Sequence, residues 1–237
     1  MKYSKASFAA LLLVAIILSI QDADAGQTRL FIFSGQSNMK HLEPGESFIP
    51  TFKKAFPEDE LIVVKYAISG QPILRWYADW KSASGERPDV RNGKVGDMYE
   101  TLLAMAKKAL EGKPRPESVV FVWMQGEADT HSAGNADVYE ASLKAVIKKL
   151  RDDLKRPDMY FVVGRISDFS GYPEGSKTVR NALVKVAGDD PRGAWIDTDD
   201  LNGKNDGLHY TAEGYKILGE RFAGKAIKLL SSAPAPK

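Results

Sequence analysis

Short continuous apolar runs alternate along the chain with stretches of helical periodicity. Leu30-Phe31-Ile32-Phe33 stops at Ser34-Gly35, Leu61-Ile62-Val63-Val64 repeats the pattern, and Val119 to Met124, Met159 to Val163 and the weaker Ala194-Trp195-Ile196 follow it. Unbroken apolar runs of this length mark strands buried on both faces, as in a parallel sheet. Tyr99, Leu102, Leu103, Ala106 and Leu110 share one helical face, and Gly112 with Pro114 closes that pattern. Tyr139, Leu143, Val146, Ile147, Leu150 and Leu154 form a second stripe. A third helix is predicted from about Ser176 to Ala187, and a last from Thr211, with Tyr215, Leu218, Phe222 and Ile227 along one side. The order predicts an α/β three-layer sandwich around a central parallel sheet of about five strands.

The first 25 residues read differently. Lys2 and Lys5 precede an apolar stretch from Phe8 to Ile20, and Ala23-Asp24-Ala25 offers a small-residue cleavage site, which is the layout of an export signal. A membrane anchor is the competing reading, but a spanning helix needs roughly 20 apolar residues and this run ends earlier, in Gln21-Asp22. The expectation is a signal peptide over 1–25, one domain over 26–230 and a flexible Ala/Pro-rich tail over 231–237. The protein is then exported, either periplasmic or secreted, without stable membrane insertion after cleavage.

Composition narrows the field further. There is no cysteine, which excludes disulfides and thiolate metal sites. The net charge is only +2, and the basic residues of 144–155 follow helical spacing, as expected for a solvated face; nucleic acid is not an expected partner. The acidic stretch Asp197, Asp199, Asp200, Asn202 and Asp206 misses the register of a calcium-binding EF-hand loop, since position five before Gly203 is Thr198 and the twelfth is His209. No metal or cofactor is implied.

Two segments from opposite ends carry the candidate chemistry. Gly35-Gln36-Ser37-Asn38-Met39 follows the first strand, where open α/β sheets collect ligands, and Asp206-Gly207-Leu208-His209 precedes the last helix. A serine hydroxyl is a weak nucleophile until an imidazole takes its proton, and that imidazole needs an acceptor to fix its tautomer. Asp206 is three residues before His209, close enough to serve as that acceptor. The plainer alternatives are a helix cap at Ser37 or Asn38 and an Asx turn at Asp206. His41 and His131 lack an acid at a comparable spacing and are expected at the surface or in a pocket wall.

The segments Gly35-Gln36-Ser37-Asn38-Met39, Gln125-Gly126-Glu127-Ala128-Asp129 and Asp206-Gly207-Leu208-His209, in this order, resemble the SGNH-type hydrolases, in particular the sialate O-acetylesterase-like group that includes carbohydrate esterase family six. The resemblance implies a flavodoxin-like sandwich and a Ser37, His209, Asp206 triad that removes acetyl groups from carbohydrates. The α/β-hydrolase elbow fits less well, because Met39 stands where its second glycine would be and the acid lies next to the histidine.

Candidate oxyanion donors are the amides of Ser37 and Gly70 and the side-chain amide of Gln125. The family often has Gly-Gly-Thr where this chain has Ser69-Gly70-Gln71. Gln36, Glu127, Arg75 and Trp76 are candidates for substrate binding: Glu127 would orient loops, meet sugar hydroxyls or form a structural salt bridge, and Trp76, with Tyr77 and Trp80, would be a stacking platform or a pin to the core. The expected partner is an acetylated carbohydrate. The alternatives are a noncatalytic glycan-binding protein on the same fold and an esterase acting on lipid or other small esters.

Overall fold

The computed structural model describes residues 26–83, 85, 90, 93–168, 172–204 and 206–232. The proposed signal peptide, and the tail beyond Ser232, lie outside the described residues. Five strands, β1 (Thr28–Gly35), β2 (Glu60–Ala67), β3 (Ser118–Met124), β4 (Tyr160–Gly164) and β5 (Gly193–Ile196), form one sheet in the order β2-β1-β3-β4-β5. Every neighbouring pair is parallel. That order is the flavodoxin-like arrangement, whose switch point lies between β1 and β3.

The helices are α1 (Ser37–His41), α2 (Phe48–Ala55), α3 (Asp97–Leu110), α4 (Ala133–Asp137), α5 (Tyr139–Asp153), α6 (Pro173–Gly188) and α7 (Ala212–Ser231). α2 packs against α7 on one side of the sheet, while α5 packs against α3 and α6 on the other. The three-layer sandwich follows. Among the described residues, no helix is long and apolar enough to cross a membrane.

α2 was not apparent from periodicity, because Pro50 interrupts the pattern. Its Phe48 and Phe52, four apart, lie on one face and meet Phe31 edge-on at centroid distances of 5.0 and 4.8 Å. All three rings are fully buried, and each such burial contributes about 2–3 kcal/mol. This cluster holds β1, the strand that delivers Ser37, against one outer layer. Thr211 caps α7 as expected, its hydroxyl accepting from the Gly214 amide at 2.9 Å.

The turn from β1 into α1 depends on Gly35. Its φ of 150° is reached with little cost only without a side chain, and a Cβ there would lie 1.9 Å from the Met124 carbonyl oxygen. The same carbonyl accepts the Gln36 amide at 3.0 Å, so the chain turns against the end of β3. Gly35→Ala is expected to destabilise the fold by about 3 kcal/mol, measured by urea denaturation, because both backbone and neighbouring strand must shift.

Candidate active site

α1 begins at Ser37, directly after the β1 turn, so its first residues sit at the carboxyl edge of the sheet. Ser37 lines a cleft of about 330 Å³ together with Gln36, Gly70, Glu127, His131 and His209. Four separate segments of the chain therefore face one cavity. Among the described residues, no acceptor takes the amide hydrogen of Ser37 or of Gly70. Gly70 has φ 68°, the left-handed conformation expected of a tight turn glycine.

Asp206 wraps the start of the histidine segment. Its Oδ1 accepts the amides of Leu208 at 2.9 Å and His209 at 2.6 Å, and its Oδ2 lies 2.7 Å from His209 Nδ1. The His209 amide, the imidazole and the Leu208 amide hold the Asp206 carboxyl down to about 2, the largest effect being the His209 amide. An ionised carboxylate only accepts, so Nδ1 carries the proton and Nε2 is the basic nitrogen. The Asx turn and the histidine partner proposed as alternatives thus coexist in one residue.

Asn38 joins the two ends of the chain. Its fully buried carboxamide donates to Glu127 Oε1 at 2.8 Å and to the Leu208 carbonyl at 3.1 Å, and its Oδ1 accepts from the Tyr215 hydroxyl at 3.0 Å. The sequence presents Asn38 only as a candidate helix cap; α1 has no side-chain cap, and the partners of Asn38 lie 89, 170 and 177 residues away. No local signal marks such contacts. Burial, countered partly by a hydrogen bond from the Tyr210 backbone, pushes the Tyr215 hydroxyl up to about 12, so it remains a donor.

Glu127 forms no salt bridge among the described residues. Its Oε2 is buried without a hydrogen-bond partner, and desolvation raises its pKa despite opposing contributions from its own backbone amide, Asn38 and His209. Gln36 is also anchored: its Oε1 lies 3.2 Å from the Ala128 amide and 3.3 Å from Gln125 Nε2. Its own Nε2 has no acceptor among the described residues.

Three expected site residues are placed elsewhere. Gln125 is fully buried, and its Nε2 faces Asp129 Oδ2 at 2.5 Å, the Gln71 carbonyl at 3.0 Å and Gln36 Oε1 at 3.3 Å. Two N–H groups already face three acceptors, so Gln125 is not an oxyanion donor in this arrangement; it braces the loop carrying Gly70. Asp129 completes that brace by accepting the Ile73 amide at 3.0 and 3.1 Å.

Arg75 does not line the cleft; it is a buried clasp, donating to Gln71 Oε1 at 2.5 Å and to both Asp97 oxygens at 2.5 and 2.8 Å. Trp76 is fully buried, donates to Ser34 Oγ at 2.9 Å and packs edge-on against Trp123 at 5.0 Å, so it is a pin and has no face for a sugar.

The two remaining histidines are cleft neighbours. His131 stacks on Tyr172 at 4.4 Å, and His41 sits edge-on to His209 at 5.8 Å. Desolvation first, then the nearby His209, Lys40 and Lys65, lowers the His41 pKa, which favours its neutral form beside His209. The acidic stretch that invited a calcium reading is occupied by arginines: Asp199 pairs with Arg165 and Arg180, and Asp200 with Arg221.

A family model described as "Carbohydrate esterase, sialic acid-specific acetylesterase" matches residues 40–228, most of the chain. The chain belongs to that family. A probable carbohydrate esterase of Arabidopsis thaliana is 26% identical over 182 residues, covering 76% of this chain but only 61% of that relative's length.

Among solved structures, an Arabidopsis thaliana protein superposes with a TM-score of 0.64 at 21% identity, covering 87% of this chain and 99% of the other. A carbohydrate acetylesterase from Xanthomonas citri superposes with a TM-score of 0.60 at 15% identity, covering 88% of this chain and 57% of the other. These likenesses show the same three-layer α/β fold. Family membership also places Gln125 and Asp129 in a new light: in this chain two residues of a family-like segment serve to hold a loop.

Glu127 gives a direct test of the site's electrostatics. A carboxyl with a raised folded pKa binds its proton more tightly when folded, so stability falls as pH rises from the ordinary value of 4.5 through the raised one. Glu127→Gln is expected to match the wild type at pH 4 and to exceed it by about 1 kcal/mol at pH 8 in urea denaturation, since the amide keeps the Asn38 contact without a buried charge. Equal stability at both pH values would mean that Glu127 titrates as a solvated group.

Proposed function

We propose that the chain is an exported carbohydrate O-acetylesterase acting through Ser37, His209 and Asp206. One observation carries the reading: the Asp206 carboxylate occupies His209 Nδ1 at 2.7 Å, leaving Nε2 basic on a ring that lines the same cleft as Ser37. In the first half-reaction His209 takes the Ser37 proton as Oγ attacks the acetyl carbonyl carbon. The tetrahedral oxyanion then collapses, the imidazolium returns the proton to the departing sugar oxygen, and an acetyl-Ser37 ester remains. A water, deprotonated by the same Nε2, releases acetate and restores the hydroxyl.

The unspent amides of Ser37 and Gly70 are the oxyanion donors in this reading, and Gln36 Nε2 is a third donor facing substrate from the cleft wall. Glu127, when ionised, favours the imidazolium that forms at His209, the attraction that opposes the burial-driven rise of its own pKa. An acetylated carbohydrate is the substrate favoured by the family to which the chain belongs.

Purified protein is expected to release acetate from p-nitrophenyl acetate and from acetylated xylan. Ser37→Ala should lower turnover on both by about 10⁴ or more, and retained turnover would exclude Ser37 as nucleophile. Asp206→Asn should cost on the order of 10² or more in kcat. Because Asp206 stays ionised down to about pH 2, its own protonation does not set the acid limb of the rate above that pH.

A further inference from the structure

A second cavity, about 700 Å³, lies on the outer edge of the sheet between β5 and α7, with Trp195, Asp200, Arg221, Gly224, Lys225 and Lys228 in its wall. Three features of this groove point to a ligand. The first is an indole. Of the four tryptophans, Trp76, Trp80 and Trp123 are buried, whereas Trp195 is partly open, with the Arg165 guanidinium 5.1 Å from its ring centre.

The second is a helix glycine without a packing reason. Gly214 and Gly219 in α7 are required by close neighbours, since a Cβ would come within 2.2 Å of the Leu201 carbonyl oxygen and 2.0 Å of Ser47 Oγ. A Cβ at Gly224 would meet nothing within 4 Å. Glycine inside a helix is unfavourable relative to alanine, and here its effect is to keep the groove open.

The third is uncompensated charge. Asp197, Asp199 and Asp200, all three in the groove's wall, pair with Arg165, Arg180 and Arg221, but Lys225 and Lys228, one turn apart on α7, have no carboxylate partner among the described residues.

The short backbone edge offers little to an added peptide strand. The Gly193 amide donates to the Asp190 carbonyl at 2.8 Å, and Arg221 donates to the Asp197 carbonyl at 2.9 Å, so both ends of the short β5 edge are already taken. What remains is the open part of the Trp195 indole, whose ring also carries the Arg165 guanidinium, beside two ammonium groups without a carboxylate partner among the described residues, over a floor without a side chain. A pyranose ring supplies apolar C–H groups for the indole, and a carboxylate on that ring supplies the missing anion. We propose that this groove is a noncatalytic binding site for an acidic saccharide. It stands apart from the Ser37 cleft, with which it shares no lining residue.

The test titrates the full-length mature protein with trigalacturonate and with an α2,8-linked trimer of N-acetylneuraminate, reading tryptophan fluorescence. Xylotriose and triglutamate serve as neutral and peptide controls. A saturable change is expected with at least one acidic trisaccharide. Gly224→Gln, which fills the floor and suits a helix, should abolish it, and Lys225→Glu with Lys228→Glu should weaken it roughly tenfold or more. Hydrolysis of p-nitrophenyl acetate should be unchanged in both variants, so loss of binding is separable from loss of catalysis. The proposal is overturned if neither acidic trisaccharide binds, if Gly224→Gln binds as the wild type does, or if xylotriose or triglutamate binds equally well.

Discussion

The carboxamide of Asn38 is the interaction on which the site depends. Ser37, just after the first strand, and His209, in the last loop, are separated by nearly the whole domain, and the sheet alone places both only at the same edge. Asn38 adds the tie: from the residue after Ser37 it holds the Leu208 carbonyl, adjacent to His209, while Tyr215 and Glu127 complete its bonding. With two N–H groups and one oxygen all engaged in a buried setting, losing the amide would strand several partners at once. The node therefore couples folding of α7 to assembly of the cleft.

A second internal network shapes the opposite wall. Gln125 and Asp129 leave the end of β3 and bond the Gln71 carbonyl and the Ile73 amide, while Trp76 anchors the same loop beneath the sheet edge. Gly70, at the head of this loop, is thereby presented to the cleft by bonds that never reach a substrate. Polar residues after a sheet strand need not be ligands. Here they replace the missing regular structure of a long connection by satisfying its backbone groups.

How much of this was legible from the residues differs by element. All five strands were, because burial on both faces leaves unbroken apolar runs, and so was the pairing of Asp206 with His209, which is local. α2 was hidden by Pro50, and the bracing role of Gln125 was hidden because a buried amide and a ligand-facing amide have the same side chain. Trp76 and Arg75 were legible as functional types but not in direction. An aromatic in a loop reads alike whether it turns toward solvent or, as here, toward Ser34 and Trp123. Long-range partners such as those of Asn38 leave no periodic trace at all.

The central claim is that Ser37 and His209 act as one chemical unit, and covalent labelling reads this most directly. Wild-type protein and a His209→Ala variant are treated with a fluorophosphonate, and the modified peptide is mapped by mass spectrometry over time. The account predicts a single adduct on Ser37 in the wild type and labelling slowed by orders of magnitude in the variant. Labelling at another residue, or at Ser37 with the same rate in both proteins, would contradict it.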